Sequence, residues 1–262
     1  MTDSGFWELG SFPILPDYPI RGTLARLALV SVEEFVPGVR AISLGFVSAF
    51  VISDGDGLAL VDAGLRTHLR RVRSALREAG DPGRLRHVLV THHHRDHVGT
   101  LSDLLSAETT VWAHPDDADV IRGATPPPRP DSRSSLERGV FRMMERVGPQ
   151  APPARVDHEI TDGQEIPIGD GVIAYHTPGH TAGHVSFLMP AKRVLFVGDA
   201  AANYFGRIGP PFGLSSEDHQ EVKRSIAKIA GLEFDIACFG HGRVLKGGAA
   251  AAFRRLAEKV AS

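Results

Sequence analysis

The chain has 262 residues, with 42% apolar and 23% charged side chains and a net charge of −2 at neutral pH. This composition is typical of a soluble globular protein, and it lacks the basic excess of proteins that bind nucleic acids or membrane surfaces. The longest mostly apolar run, residues 47–52, is far shorter than the roughly 20 residues of a membrane span. The single cysteine, Cys238, excludes an internal disulfide, and no signal-like segment is visible, so we expect a cytoplasmic protein.

The first half of the chain shows the patterns of strands alternating with helices. Residues 1–40 are irregular and carry several prolines, which indicates an N-terminal arm with one strand around 27–32. The elements predicted next are strands within 41–52 and 58–64 around a tight turn at 54–57, a helix at 65–79, a strand at 86–91, a helix through 101–105 and a strand at 109–113. This order is typical of a mixed α/β fold.

The second half returns to strands after a proline-rich stretch. We interpret residues 123–156 as an insertion into one domain at 41–262, with a helix at 134–147 whose apolar face either packs on the domain or lines a pocket. The remaining predicted elements are strands at 159–160, 165–168, 172–176, 185–188, 193–197 and 234–239, and helices at 216–230 and 248–260.

One segment carries an unusual density of metal-binding side chains. Residues 91–97 read THHHRDH and follow the strand predicted at 86–91, at a strand end where sites in α/β folds form. His92 and His94 are two residues apart, so in an extended segment both project to the same side and can bind one ion. Asp96 and His97, in the turn beyond, can reach a second ion. These ligand types suit zinc, and also iron, manganese or nickel, whereas the alternative is a histidine-rich turn without metal.

Three further segments favour the metal site over that alternative. Residues 176–184 read HTPGHTAGH and follow a predicted strand, residues 197–199 end an apolar strand with Asp199, and residues 239–242 do the same with His241. Each places a ligand type at a strand end, and strand ends on one rim of a sheet can converge.

The combined patterns HxHxDH, TPGHTAGH, GD and GHG resemble those of the metallo-β-lactamase superfamily, from about residue 41 to residue 260. The resemblance implies a four-layer αβ/βα sandwich of two mixed β-sheets flanked by helices, with two divalent ions at one sheet edge. Its implied ligands are His92, His94 and His180 for the first ion, Asp96, His97 and His241 for the second, and Asp199 as the bridge between them.

Other residues of the motifs have no matching ligand position. Asp62, at the end of LVDAG, resembles the acid that braces a loop in this family. We expect His184 to orient a ligand through a hydrogen bond, and His93 and Arg95 to lie in solvent or behind the ligands. Tyr204, five residues after the bridging acid, is a candidate for polarising a carbonyl, although its spacing departs from that of the lactonases.

The resemblance implies a metal-dependent hydrolase that uses a dinuclear, zinc-type centre and a bridging hydroxide. We expect it to cleave an ester, lactone or thioester bond of a small molecule, with Asp96 orienting the hydroxide or moving a proton. Iron or manganese are the alternative metals. The length after His241 leaves little room for the glutathione-binding region of glyoxalase II, which otherwise resembles this chain in TPGHTAGH.

Three other functions stay open at this point. A mononuclear iron persulfide dioxygenase carries similar motifs, and a β-lactam or phosphodiester hydrolase shares the fold. A non-enzymatic scaffold would have lost ligands, and none of the seven is lost here. We expect no nucleic-acid or membrane partner, and the N-terminal arm is compatible with a homodimer.

Overall fold

A computed structural model of the chain describes residues 32–55, 57–128, 148–204, 206–211 and 215–261. The predicted helix at 134–147 lies outside these residues, and so does the predicted strand around 27–32 apart from Val32. The described helices are too short or too polar to cross a membrane.

The first sheet has seven strands in sequence order. They are β1 (Val32–Val36), β2 (Val39–Ser43), β3 (Ser48–Asp54), β4 (Gly57–Val61), β5 (Leu85–Leu89), β6 (Thr110–Ala113) and β7 (His158–Glu159). Strands β1 to β4 pair antiparallel, whereas β4 to β7 pair parallel, so the sheet is mixed. The parallel half places the ends of β4 and β5 at the same edge.

The second sheet has six strands in the order β15-β14-β11-β10-β9-β8. They are β8 (Glu165–Ile166), β9 (Val172–His176), β10 (Val185–Met189), β11 (Val194–Gly198), β14 (Ile236–Phe239) and β15 (Leu245–Lys246). Strands β11 and β14 are parallel neighbours, so the residues that follow them leave the sheet side by side. A separate hairpin, β12 (Ala202–Tyr204) and β13 (Arg207–Gly209), stands between them in the chain.

The helices cover the outer face of each sheet. They are α1 (Leu69–Ala79), α2 (Arg95–Val98), α3 (Leu101–Leu104), α4 (Pro115–Ile121), α5 (His219–Ala230) and α6 (Ala249–Ala261). Helix α1 buries Val72 and Leu76 against the first sheet, and α5 and α6 bury Ile226 and Phe253 against the second. Each such side chain contributes about 1.5–3 kcal/mol of hydrophobic free energy when fully buried.

A third apolar layer lies between the two sheets. Phe50 and Ile52 of the first sheet meet Phe187, Phe196 and Cys238 of the second, and all five are buried. With a helix layer outside each sheet, the molecule is the four-layer sandwich predicted from the sequence. The two inner faces fill one core, and they fix the sheet edges relative to each other.

The structure corrects several predicted boundaries. Residues 32–40 form β1 and the start of β2, so they belong to the first sheet and not to an arm. The single strand predicted at 41–52 is two strands, because Gly45 adopts a φ of 99° and the chain turns between them. Helix α4 and the β12–β13 hairpin were not predicted, and α5 begins after Asp218, whose carboxylate caps it.

Candidate metal centre

Four strand ends bring the predicted ligands to one edge of the sandwich. Residues 91–97 follow β5, and residues 177–184 connect β9 to β10. Asp199 follows β11 directly, and His241 follows β14. The two sheets thus contribute to the same site, and residues from distant parts of the sequence meet there.

Three histidines form a first group of ligand atoms. His94 Nδ1 lies 3.1 Å from His92 Nε2 and 3.0 Å from His180 Nε2. Nitrogen ligands at 2.0–2.1 Å from a tetrahedral zinc ion are about 3.3 Å apart, so these separations are close to those of a coordination shell. His92 and His180 are buried and His94 is partly exposed, and burial lowers the pKa of each, with that of His180 at about 4. They are therefore neutral and ready to bind a cation at neutral pH.

Asp96, His97 and His241 form a second group beside the first. Asp96 Oδ2 lies 3.4 Å from His241 Nε2 and 3.9 Å from His97 Nε2. Asp199 stands between the groups, because its Oδ2 is 3.1 Å from His241 Nε2 and 3.4 Å from His180 Nε2. Its other oxygen, Oδ1, is 3.6 Å from His97 Nε2.

Nearby carboxylates raise the pKa of both histidines in the second group. Burial lowers the pKa of His97, but Asp199, Asp62 and Asp96 outweigh it and raise that pKa to about 9. The pKa of His241 is raised to about 11, since Asp199 and Asp96 outweigh its burial in the same way. Without a metal ion, both histidines are therefore protonated at neutral pH. Their positive charge balances the carboxylates that a divalent cation would otherwise neutralise.

Two buried atoms at the centre lack a hydrogen-bond partner among the described residues, and they test whether metal ions fit. They are His97 Nε2 and Asp199 Oδ1, which face each other across 3.6 Å. Buried polar atoms of folded proteins are nearly always paired, so a cation between such atoms explains an otherwise costly arrangement. The donor set of imidazoles and carboxylates is also the one that zinc, iron and manganese take.

The ligands are held from behind by hydrogen bonds. Asp62 Oδ2 lies 2.8 Å from His97 Nδ1, and the same carboxylate accepts from the Thr91 amide at 2.9 Å and the Thr91 hydroxyl at 2.8 Å. His241 Nδ1 is 2.8 Å from the Phe46 carbonyl, and His180 Nδ1 is 3.3 Å from Ser216 Oγ. The brace inferred for Asp62 thus contacts both the loop and a ligand.

His184 fulfils the predicted orienting role through the backbone. Its Nε2 accepts a hydrogen bond from the Asp199 amide at 2.8 Å, and its Nδ1 is 2.8 Å from Thr177 Oγ1. Gly198 precedes Asp199 with a φ of 58°, and a Cβ there would lie 2.6 Å from His184 Nε2. The glycine is needed for this close approach.

Asp117 is a positioning residue that sequence reasoning missed. This buried carboxylate on α4 accepts hydrogen bonds from the His93 amide at 2.8 Å, Thr181 Oγ1 at 2.9 Å and the Gly183 amide at 2.9 Å. It therefore ties the loop of His92 and His94 to the loop of His180. His93 is buried against Asp117, so of its two predicted positions, in solvent or behind the ligands, the structure shows the second.

A cavity of about 750 Å³ opens beside the ligands. Its lining includes Asp96, Asp199 and His241, together with Tyr204 of β12. Tyr204 is 40% exposed, and burial of its ring followed by the charge of Asp199 raises the pKa of its hydroxyl. The described flanks of the predicted insertion, near residues 123 and 148–153, also line the cavity, so they form a pocket wall.

Another histidine pair gathers away from this centre. His114 and His176 stack with ring centroids 3.9 Å apart and an interplanar angle of 10°, near Asp116. Because imidazole lone pairs lie in the ring plane, two rings stacked face to face do not point at one ion. This pair therefore packs ring on ring and is not a metal site.

The fold and the ligand set define a class of metal-binding hydrolases, and the comparisons agree. The chain belongs to the metallo-β-lactamase superfamily, whose family model matches residues 42–241. The probable metallo-hydrolase YflN of Bacillus subtilis strain 168 is 27% identical over 238 residues, which cover 82% of this chain and 87% of that protein. The hydroxyacylglutathione hydrolase of Fuscovulum blasticum is 30% identical over 200 residues, or 74% and 61% of the two chains.

Solved structures show the same fold. A B3 metallo-β-lactamase with an active-site glutamic acid superposes with a TM-score of 0.67, at 22% identity and with 96% of each chain covered. At this identity the likeness establishes the fold alone, and the substrate has to be inferred from the site.

Proposed function

We propose that the protein is a hydrolase with two divalent metal ions, zinc in the first instance, that cleaves an ester, lactone or thioester bond of a small molecule. The observation that carries the proposal is the position of Asp199, whose carboxylate lies between two complete ligand groups and faces the cavity. His92, His94 and His180 would hold one ion, and Asp96, His97 and His241 would hold the other.

Divalent ions bound in such a cluster supply a hydroxide nucleophile near neutral pH and stabilise an oxyanion. The chain's own residues place the reacting groups. Asp96 lines the cavity and is held 3.4 Å from His241, so its carboxylate can orient an attacking water and accept a proton from it. Tyr204 is at the cavity edge, where its hydroxyl, protonated at neutral pH, can donate to a substrate carbonyl.

The bond type is inferred from chemistry and from one relative. The reaction needs no serine or cysteine nucleophile, and Cys238, the chain's single cysteine, is fully buried between the sheets. The relative from Fuscovulum blasticum is named for hydrolysis of an acylated glutathione, which is a thioester. We therefore rank thioesters and activated esters first among the substrates to test.

The deciding experiment measures metal content and turnover on tag-free protein. We expect about two zinc or manganese ions per chain, and hydrolysis of p-nitrophenyl esters or thioesters. Asp199→Asn should reduce hydrolysis by at least about a hundredfold, because the carboxylate shared by both groups is lost. His219→Asn is the matched control, since this histidine is partly exposed at the start of α5 and does not line the cavity.

Two results would contradict the proposal. Full activity of the Asp199 variant would exclude the assigned centre. One iron per chain with oxygen uptake on glutathione persulfide would indicate the dioxygenase reaction instead. Tyr204→Phe distinguishes metal binding from donation to the substrate carbonyl. We expect this variant to lower kcat while leaving the metal content unchanged.

A further inference from the structure

The cavity beside the ligands is larger than an ester or thioester group alone would need. Its volume of about 750 Å³ is in the upper part of the roughly 300–1,000 Å³ range of small-molecule pockets. Asp96, Asp199 and His241 line one part of it. The remaining volume is therefore available to a part of the substrate that does not react.

The side chains that line the rest of the cavity are mainly apolar, with Thr125, Gln150 and Ser215 among the polar ones. The apolar ones include Leu65, Val98, Val120, Ile121, Pro152 and Pro153. Apart from the acidic ligands and the histidines of the centre, Arg95 is the one charged side chain among the described residues that line the cavity. A substrate part with several charges would lose its hydration here without matching partners, which is costly.

The part of the lining formed by the proline-rich segment is held in place by contacts with α4. The Ala154 amide donates to the Ile121 carbonyl at 2.9 Å, which fastens the proline-rich segment 148–153 to the end of α4. A Cβ at Gly123 would lie 2.8 Å from Pro153 Cγ, so these two segments are in close contact. Because prolines lose little conformational freedom on ordering, an apolar group binds this wall at low entropic cost.

Phe46 extends the apolar lining up to the metal ligands. It lies between β2 and β3, and the residue is 61% exposed although its ring stacks on His241 with centroids 5.8 Å apart and an angle of 6°. Its carbonyl is fixed by His241 Nδ1 at 2.8 Å. An exposed phenylalanine held at this position can contact an apolar part of a substrate that binds beside the ligands.

We propose that this cavity binds the acyl part of the substrate, and that this part is bulky and apolar, such as a medium-length alkyl chain. The inference rests on the proposed hydrolase activity and names its substrate class. Water adds to the acyl carbon, the C–S or C–O bond breaks, and the thiol or alcohol leaves with a proton while the apolar acid remains in the cavity. Val120 and Phe46 then determine how large an acyl group is accepted.

The test compares acyl lengths in a pair of matched variants. Val120 is half-buried on α4 and lines the cavity, whereas Asp119, its neighbour on the same helix, is exposed and does not. We expect wild-type protein to prefer p-nitrophenyl decanoate over the acetate in kcat/KM. Val120→Trp should lower kcat/KM for the decanoate by about tenfold or more and change the acetate by about twofold at most. Asp119→Trp should change neither.

A binding measurement separates this inference from the proposed activity. Calorimetry on zinc-loaded protein should show decanoate binding at least about a hundredfold more tightly than acetate, because each buried methylene contributes up to about fourfold. Val120→Trp and Phe46→Ala should both weaken decanoate binding by a larger factor than acetate binding.

The outcomes are distinguishable. Equal turnover of both esters, with no effect of Val120→Trp, would overturn the apolar acyl site and leave the hydrolase standing. Tight decanoate binding that Val120→Trp abolishes, without hydrolysis of any ester or thioester, would support the acyl site and overturn the proposed reaction. Equal binding of decanoate and acetate would reject the inference whatever the turnover.

Discussion

Replacement of Asp117 by asparagine removes one negative charge from the point where two ligand-bearing loops are joined. The side chain keeps its size, and one oxygen remains to accept a hydrogen bond. The amide nitrogen of asparagine replaces either Oδ2, which accepts from His93 and Thr181, or Oδ1, which accepts from Gly183. Because this nitrogen is a donor, the groups that face it lose their acceptor. The change therefore weakens the connection between the loop of His92 and His94 and the loop of His180.

The size of the effect follows from the pKa of this carboxyl group. Burial raises the pKa of Asp117, but the hydrogen bonds from His93 and Thr181 outweigh it and lower the pKa from 3.8 to about 2. At about 1.4 kcal/mol per pKa unit, ionisation of Asp117 stabilises the fold by about 2 to 3 kcal/mol at neutral pH. Asp117→Ala leaves three buried donors unpaired, so we expect a loss of about 3 to 6 kcal/mol.

Urea unfolding of the metal-free protein measures these losses directly. Because the folded-state pKa is lowered, the stabilisation is present above pH 3.8 and is lost as the pH falls towards 2. The wild-type and Asp117→Asn proteins should therefore differ at pH 7 and converge in acid. Asp119→Asn, on the exposed side of the same helix, should change the free energy of unfolding by less than about 0.5 kcal/mol.

The second readout is zinc affinity. Since Asp117 joins the two loops that carry the first ligand group, we expect Asp117→Asn to weaken binding of the first ion by about tenfold to a hundredfold. A variant that matches the wild type in both unfolding free energy and zinc affinity would refute the assigned role.

Two further predictions concern the ligands themselves. A Cβ at Gly240 would lie 2.1 Å from Asp199 Oδ1 and 2.7 Å from His97 Cε1, so Gly240→Ala should lower metal content by mass spectrometry, whereas Gly209→Ala, with open space around it, should not. The raised pKa values of about 9 for His97 and about 11 for His241 mean that filling the second group at pH 7 releases about two protons. An indicator dye should register this release with the second zinc equivalent and little with the first, and equal release would contradict it.

The ligand residues could be predicted from the sequence because each follows an apolar strand. Strand β11 is buried throughout, and β5 and β14 each end in buried apolar residues, so the ends of these strands could be recognised without a structure. Parallel pairing of β11 with β14 then places Asp199 and His241 side by side. The four-layer fold itself came from the resemblance, since no periodicity in the strands tells how two sheets face each other.

Helix α4 shows what the sequence did not reveal. The start of the segment has the proline at the first helical position and the acids of a helix N-terminus, but a helix of seven residues is too short for a periodic pattern. The role of Asp117 depends on contacts with His93 and Gly183, which are 24 and 66 residues away. Only the fold brings these groups together, so an acid on a short helix could not be recognised.

The turn between β2 and β3 was hidden for a different reason. Apolar residues continue through Leu44 and Val47, both of which are buried, so the pattern of residues 41–52 looks like one long strand. The reversal requires the positive φ of Gly45, and one glycine in an apolar run equally indicates a bulge. The exposed position of Phe46 follows from that turn.

Cys238 is the one thiol in the chain, and it lies in the apolar layer between the two sheets. Burial raises its pKa well above the ordinary value, so a thiol reagent reaches a reactive thiolate only when that layer opens. The rate at which a thiol reagent labels Cys238 therefore reports how often the two sheets separate. Cys238 is three residues before His241, so a slower labelling rate with zinc than without it would indicate that metal binding holds the two sheets together.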